Sequence, residues 1–383
     1  MKKKIIRITT VPASLKGLLK GQLRFMSDYF EMVGVSSNQN GVLEQVGQRE
    51  NYRTIPVDMS RKITPIKDLM ATYKLYKVFK NEKPYIVHTH TPKAGTLGML
   101  AAKLAGVPHR LHTIAGLPLV EATGIKRLIL NTVEKITYAC ATKIYPNSYG
   151  LMDIILEHRF TGPQKLKVIG NGSSNGIDTQ YFNPDLYTEK DKAEFRKSWQ
   201  IRPDDFVFIF IGRLVADKGI NELIESFVGL TTKHNHIKLL LVGMYESELD
   251  PLLPATTQQI DNNPNIVYTG WQDDVRPFFA IANALVFPSY REGFPNVVMQ
   301  AGAMELPAIV SDINGCNEIV NHNKNGIIVP AKNTEKLYRA MESLLNKPAE
   351  DLKLMGQISR QHIVSNYDQQ FVWKALLKEY QSL

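Results

Sequence analysis

Short runs of β-branched and aromatic residues alternate with longer stretches of helical periodicity along the whole chain. In the first half, Ile5–Thr10, Met32–Ser36, Tyr85–Thr89, Arg110–Thr113, Lys143–Asn147 and Lys167–Gly170 read as strands, with helical patterns such as Thr64–Lys80 and Ala94–Ala105 between them. The second half repeats the theme at Phe206–Ile211, Lys238–Val242, Ile266–Thr269, Ala284–Pro288, Ala308–Ser311 and Ile327–Val329. Strands spaced by helices predict parallel sheets built from βαβ units, and two such series predict two doubly wound α/β domains. The loop-like run IGNGSSNGID marks the boundary. It places a first domain at 1–175, a linker at 171–200 that includes the polar helix TEKDKAEFRKSW, and a second domain at 200–365. The last helix, around Gln369–Gln381, carries Phe371, Trp373, Leu376, Leu377 and Tyr380 at helical spacing. It needs an apolar partner, so residues 366–383 are expected to pack back on the first domain.

Composition narrows the class. A chain of 383 residues, 44% hydrophobic and 22% charged, can bury two cores and is neither disordered nor fibrous. Two cysteines, Cys140 and Cys316, exclude a disulfide scaffold and a cysteine-rich zinc site, and they suit a reducing compartment. The basic start MKKK is followed by an apolar run that Arg7 cuts short, so no signal peptide is expected. No window approaches the ~18 consecutive apolar residues of a membrane span.

The charge is divided unevenly. Residues 1–175 hold 26 Lys and Arg against 11 Asp and Glu, a net of +15, whereas the rest holds 20 against 26, a net of −6. A basic half points to an anionic partner. No zinc-finger spacing, aromatic RNA-binding strand or basic zipper is present, so no nucleic acid is expected. Leu15, Leu18, Leu19, Leu23 and Met26 fall at helical spacing among Lys16, Lys20 and Arg24, with Tyr29, Phe30 and Met32 following. This pattern reads either as an amphipathic helix lying in an anionic membrane interface or as a core-packed helix with a solvated basic face; the charge of that half favours the membrane.

Candidate chemistry lies at strand ends, because open parallel sheets bind ligands beyond the carboxyl ends of their strands. FVFIFIGRLVADKG ends a buried strand at Gly212 and follows it with Arg213 and Lys218, two cations placed to clamp a diphosphate. Taken alone, they read more readily as two solvated charges on a loop. SYREGFPNVVMQAGAMELP places Glu292, Gly293, Phe294, Pro295 and Asn296 before a helix. Pro295 suits its first position, and the N–H groups of Asn296 and Val297 would form an anion site. Glu292 can accept hydrogen bonds from sugar hydroxyls, and Gln300 follows about two turns further on.

These segments resemble retaining glycosyltransferases of family 4, with the GT-B fold of two Rossmann-like doubly wound domains facing a cleft. The resemblance rests on Gly212-Arg213-Leu214, Lys218-Gly219, Gly270-Trp271, Phe287-Pro288-Ser289, Glu292 to Asn296, and Asn317-Glu318-Ile319-Val320. It implies diphosphate binding by Arg213 and Lys218, donor-sugar contact by Glu292 and ribose contact at Gln300. The expected donor-binding set is Gly212, Arg213, Lys218, Trp271, Gly293, Phe294, Pro295, Asn296, Val297 and Gln300, with Glu292, Arg213 and Lys218 catalytic. The family pattern has a second acid where this chain has Gln300, a neutral acceptor that implies weaker donor binding or altered nucleotide preference. It has a histidine where this chain has Ala115, so His90, His112 and Lys93 are the acceptor-side candidates.

The segment at 88–118 also looks like bacterial enzymes that build capsular or O-antigen units on a polyprenyl diphosphate. The expectation is therefore transfer of a hexose or N-acetylhexosamine from a UDP-sugar to a lipid-linked saccharide. It would proceed with retention and without metal or other cofactor, in the cytoplasm at the inner face of the membrane. No Asp-x-Asp motif occurs in the sequence. A nucleotide-sugar epimerase of the same fold and a non-catalytic sugar- or lipid-binding module are the alternatives.

Overall fold

The computed structural model describes residues 2–60, 64–117, 119, 123–246 and 250–383, apart from the side chain of Lys126. Among these residues, twelve strands form two six-stranded sheets, and every pairing is parallel. The chain divides into a unit of Met1–Gly176 with Gln370–Leu383, and a unit of Ile177–Gln369.

The first unit runs β1 (Lys4–Ile8), α1 (Pro12–Gly17), α2 (Gln22–Ser27), β2 (Glu31–Ser36), α3 (Val42–Glu50), β3 (Arg53–Pro56), α4 (Pro65–Glu82), β4 (Ile86–His90), α5 (Pro92–Ala105), β5 (His109–Ile114), α6 (Gly124–Cys140), β6 (Lys143–Pro146) and α7 (Tyr149–Glu157). Its sheet order is β3-β2-β1-β4-β5-β6. The second unit runs α8 (Glu189–Ser198), β7 (Phe206–Ile211), α9 (Ile220–Thr231), β8 (Ile237–Val242), α10 (Pro254–Asn262), β9 (Ile266–Gly270), α11 (Arg276–Ile281), β10 (Ala284–Phe287), α12 (Asn296–Ala303), β11 (Ala308–Ser311), α13 (Cys316–Ile319), β12 (Gly326–Val329), α14 (Thr334–Leu345) and α15 (Ala349–Tyr367). Its order, β12-β11-β10-β7-β8-β9, is the same topology, the doubly wound Rossmann arrangement. The final helix, α16 (Gln369–Gln381), contributes Leu376, Leu377 and Tyr380 to the core of the first unit.

Four expectations change. The segment Lys167–Gly170 forms no strand: Lys167 N–H reaches Ile144 O at 3.1 Å, and the chain then turns, with Gly172 N–H on Ile169 O. The sixth strand of that sheet is instead β3, a four-residue edge strand. The Leu15–Met26 stripe belongs to two short helices, and Leu15, Leu19, Leu23 and Met26 are fully buried against Ile5, Met32 and α16. It is therefore core, as apolar residues at helical spacing are in most soluble proteins, and it presents nothing to a membrane. Residues 177–200 are part of the second unit, not a linker. The Phe195 ring packs at 5.0 Å from Phe278, and Arg196 donates to Ile281 O at 2.8 Å. Finally, 366–367 close α15 in the second unit, so the returning segment begins at Gln370.

The face of the first sheet that receives α16 is held by polar groups. Arg7 on β1 is fully buried and has no carboxylate partner. It donates to His90 Nε2 at 2.7 and 3.0 Å, to Tyr380 Oη at 2.9 Å and to Gln22 Oε1 at 2.7 Å. Tyr380 thereby donates its own proton to His88 Nδ1 at 2.5 Å, and His88 Nε2–H donates to Thr113 Oγ1 at 2.7 Å. Glu379, also buried, accepts from Lys143 at 3.0 Å, Tyr145 Oη at 3.1 Å and Lys167. Burial alone would raise the pKa of Glu379, but the hydrogen bonds from Lys167 and Lys143 outweigh it and hold it below the ordinary value.

Candidate functional site

In a doubly wound sheet the chain reverses its direction of travel between two neighbouring strands, and ligands bind outside their carboxyl ends. In the second unit those strands are β7 and β10. β7 runs into Gly212 and Arg213, and β10 runs into Pro288 and Ser289. A short turn, Ala216–Lys218, places Lys218 back across this point, where it forms an ion pair with Glu292. Both side chains are mostly buried, Ser289 Oγ donates to the same Glu292 oxygen at 3.0 Å, and the Lys218 ammonium lies 5.8 Å from the Phe287 ring centre. Gly219 holds the turn with φ +70°; a Cβ there would lie 2.2 Å from Pro288 O, so no other residue fits without displacing the strand end.

Arg213 is half exposed and donates to Glu246 Oε2 at 2.8 Å. Asn314 Nδ2 donates to Glu292 O and to Gly293 O, fixing the loop from the side. Cys316 is buried nearby. Burial and the charge of Glu292 push its thiol well above the ordinary value, against the opposing pull of Lys218. It is no thiolate nucleophile.

Pro295 proves to be the residue capping α12, one position before the helix. Val298 and Met299 N–H turn back to Pro295 O at 3.2 and 3.5 Å, and Asn296 and Val297 open the helix on the strand-end side. The Phe294 ring is buried in the core, 5.2 Å from Tyr367, leaving its backbone to the site. Gln300 is half-buried one turn along α12. Trp271 follows the outer strand β9, is 70% exposed and donates to Asp273. Among the described residues, one group of three metal-ligand side chains converges, Asp204, Asp205 and His236, at the opposite end of β7 from Arg213.

In the first unit the reversal lies between β1 and β4. Here Thr91 takes φ +72°, a conformation that costs a β-branched residue roughly 1–3 kcal/mol. Thr10 N–H and Oγ1 hold it at 3.2 and 2.8 Å. His90 is buried, and because its Nε2 accepts from Arg7, the proton of the neutral ring sits on Nδ1. That atom borders a cavity of about 20 Å³, room for one water-sized group. Asn147 Oδ1 and Ser174 Oγ line the same cavity, and all three atoms lack a protein partner. Lys93 pairs with Asp68 at 2.6 Å. His112 is buried against Thr89 Oγ1 at 2.8 Å and lies under Gly95, where a Cβ would stand 2.3 Å from the ring. The three acceptor-side candidates thus occupy three separate settings.

Comparison with known proteins fits this geometry. Residues 191–362 match the family described as glycosyl transferases group 1, and residues 19–148 match glycosyl transferase 4-like. The capsular polysaccharide biosynthesis glycosyltransferase CapM of Staphylococcus aureus is 34% identical over 98% of this chain and 96% of its own length. The chain belongs to the group 1 glycosyltransferases. A second relative of this enzyme is the UDP-Gal:alpha-D-GlcNAc-diphosphoundecaprenol alpha-1,3-galactosyltransferase of Escherichia coli, 27% identical over 96% of the chain and 95% of that protein. Among solved structures, Anabaena Alr3699/HepE in complex with UDP superposes with a TM-score of 0.82 over the full length of both chains at 15% identity, which shows the GT-B fold.

Sequence reasoning missed part of this glycosyltransferase's site. Glu246 and Asn314 carry no local signal, because each is a single polar residue in a loop whose partner lies 33 or 22 positions away. Arg291, which pairs with Asp217 at 2.8 Å, and Tyr290, which donates to Glu222 at 2.5 Å, brace the turn in the same way.

Proposed function

We propose that this glycosyltransferase moves a hexose or N-acetylhexosamine from a UDP-sugar to a saccharide carried on a polyprenyl diphosphate, with retention of anomeric configuration and without metal. The observation that carries the reading is the ion pair of Lys218 and Glu292 at the β7/β10 strand ends, with Arg213 following β7 on the same side. In the reaction the anomeric C–O bond to the β-phosphate breaks, a bond to the acceptor oxygen forms, and the acceptor proton passes to the departing phosphate. Arg213, Lys218 and the N–H groups of Asn296 and Val297 stabilise the charge that develops on the diphosphate. Glu292 accepts from the donor sugar's hydroxyls and Gln300 from the ribose, with Gly212, Gly293, Phe294, Pro295 and Trp271 shaping the pocket. On the acceptor side the reading uses Lys93 at the start of α5, with the buried His90 and His112 supporting the strand ends behind it.

The UDP-bound structural neighbour and the diphosphoundecaprenol-linked substrate of the Escherichia coli relative support the choice of donor and acceptor class. An acceptor of that kind brings the enzyme to the cytoplasmic membrane surface; among the described residues no helix is long and apolar enough to cross one. The test is thermal stabilisation by UDP, GDP, ADP and CMP with and without magnesium. Selective, magnesium-independent stabilisation by UDP is expected. GDP selectivity overturns the donor assignment, and no response to any nucleotide at millimolar concentration overturns the site.

A further inference from the structure

The membrane reading needs a surface, and the Leu15–Met26 stripe is buried. Another surface is present on the same unit. The connections β3-α4-β4, β4-α5-β5 and β5-α6-β6 all step in one direction across the sheet. Right-handed crossovers therefore place α4, α5 and α6 in one layer on one face, with α5 between the others. Asp68 on α4 meets Lys93 on α5, and Thr137 on α6 meets Thr96 on α5 at 3.1 Å. α4 turns Ala71, Leu75 and Phe79 toward the core, yet its opposite side carries Ile66, Leu69, Met70 and Tyr73 at positions i, i+3, i+4 and i+7, between 57% and 79% exposed. α6 does the same with Ile125, Leu128 and Ile129 at i, i+3 and i+4, between 47% and 78% exposed. A helix that is apolar on both sides is one that expects cover on both. The two stripes flank α5 at the strand-end edge from which α4 and α6 start, so this face carries two apolar bands rather than scattered apolar residues.

We infer that the outward face of α4 and α6 is the surface by which the enzyme lies in an anionic lipid interface. Charge chooses the lipid over another protein surface. Lys67, Lys74 and Lys77 border the stripe of α4, and Lys135 borders that of α6. The acids of these two helices are engaged or buried: Asp68 pairs with Lys93, Glu82 with Lys4 and Arg53, and Glu134 is buried. Each band is apolar with lysines along its border, and the one outward acid that pairs with them among the described residues is Asp58, 3.8 Å from Lys74, which leaves the basic residues in excess, the pattern of an interfacial helix. The inference rests on the lipid-linked acceptor of the proposed function, but its readout does not need transfer activity.

The experiment is co-sedimentation of the full chain with vesicles of phosphatidylcholine alone and of phosphatidylcholine mixed with phosphatidylglycerol, at two salt concentrations. The wild type is expected to bind the anionic vesicles and to release with salt. The double variant Leu69→Glu/Leu128→Glu should lose roughly tenfold or more in partitioning, and Lys67→Gln/Lys74→Gln should lose binding only where phosphatidylglycerol is present. Both variants touch exposed residues, so the thermal midpoint and the nucleotide response should stay at the wild-type value. Unchanged vesicle binding in Leu69→Glu/Leu128→Glu overturns the inference. So does a wild-type dimer in sedimentation that the same variant dissociates, because the face would then belong to a second copy. A missing nucleotide response with face-dependent vesicle binding would overturn the proposed function and leave this surface standing.

Discussion

Lys218 and Glu292, 74 positions apart, meet in an ion pair at the carboxyl ends of β7 and β10, and Ser289 donates to the same carboxylate oxygen. The pair is mostly buried, so removing one partner leaves a charge that is poorly solvated. Lys218→Met and Glu292→Gln are each expected to lower the unfolding free energy by about 1–3 kcal/mol, and the double variant by less than the sum of the two. Urea unfolding of the four proteins measures the coupling. All three variants should lose sugar transfer by about 10²-fold or more if, as proposed, the same groups serve the donor. Wild-type turnover in Glu292→Gln would remove that residue from the reaction.

Arg213 differs in being half exposed, with Glu246 as its partner. An exposed pair is worth about 0–1 kcal/mol, so Arg213→Ala should leave the urea midpoint near the wild-type value. Transfer should nevertheless fall by about 10²–10³-fold, the scale of one lost charge-stabilising donor. Glu246 and a diphosphate would compete for the same guanidinium. Glu246→Gln is therefore expected to lower the donor KM by up to about fivefold, the kinetic equivalent of that pair. A raised KM would mean that Glu246 positions Arg213 for the phosphate instead.

The two segments that build this site were legible because each couples a buried strand to a compact loop: FVFIFIG with Arg213 and Lys218, and ALVFPS with Glu292. Periodicity alone also gave the alternation of strands and helices, since buried parallel strands read as short continuous apolar runs. It could not say what covers a stripe. Leu15, Leu19 and Leu23 fall under the chain's own last helix, while Ile66 and Leu69 remain exposed, although both sets repeat at helical spacing. The edge strand β3 is four residues of mixed polarity and ends in Pro56, so it leaves no pattern to read. The ion pairs of Glu246 and Glu379 join residues 33 and more than 200 positions apart, and only the fold brings them together.

Gln300 sits half-buried on α12, one turn beyond Asn296. In the proposed role it would accept from a ribose hydroxyl, as an amide without the strength that a carboxylate adds. Gln300→Glu should tighten UDP binding by roughly fivefold, about 1 kcal/mol of charge assistance. Isothermal titration with UDP and with 2′-deoxy-UDP separates the causes: the gain should vanish with the deoxy compound. A gain equal for both nucleotides would mean that Gln300 does not face the ribose.

The buried histidines of the first unit make stability depend on pH. Burial, then the charge of Arg7, holds His88 and His90 well below the ordinary histidine value, and burial lowers His112 to about 4. The unfolded chain protonates these rings near pH 6.5, while the folded chain keeps them neutral. The unfolded state therefore binds more protons as pH falls, and stability drops from pH 6.5 downward. Between pH 6.5 and 5 each such ring costs about 2 kcal/mol. Among the carboxylates, Glu134 opposes the trend, because burial raises its pKa and the folded chain then binds a proton above the unfolded value. Glu82, held at about 2 chiefly by its hydrogen bond from Arg53, gives up its contribution only as pH falls below about 4.5. Urea unfolding at pH 7.5, 6.5, 5.5 and 5.0 should show a steep decline, and His112→Gln, which cannot be protonated, should reduce the slope by about one proton. A flat profile from pH 6.5 to 5 would mean that the rings are charged in the folded protein.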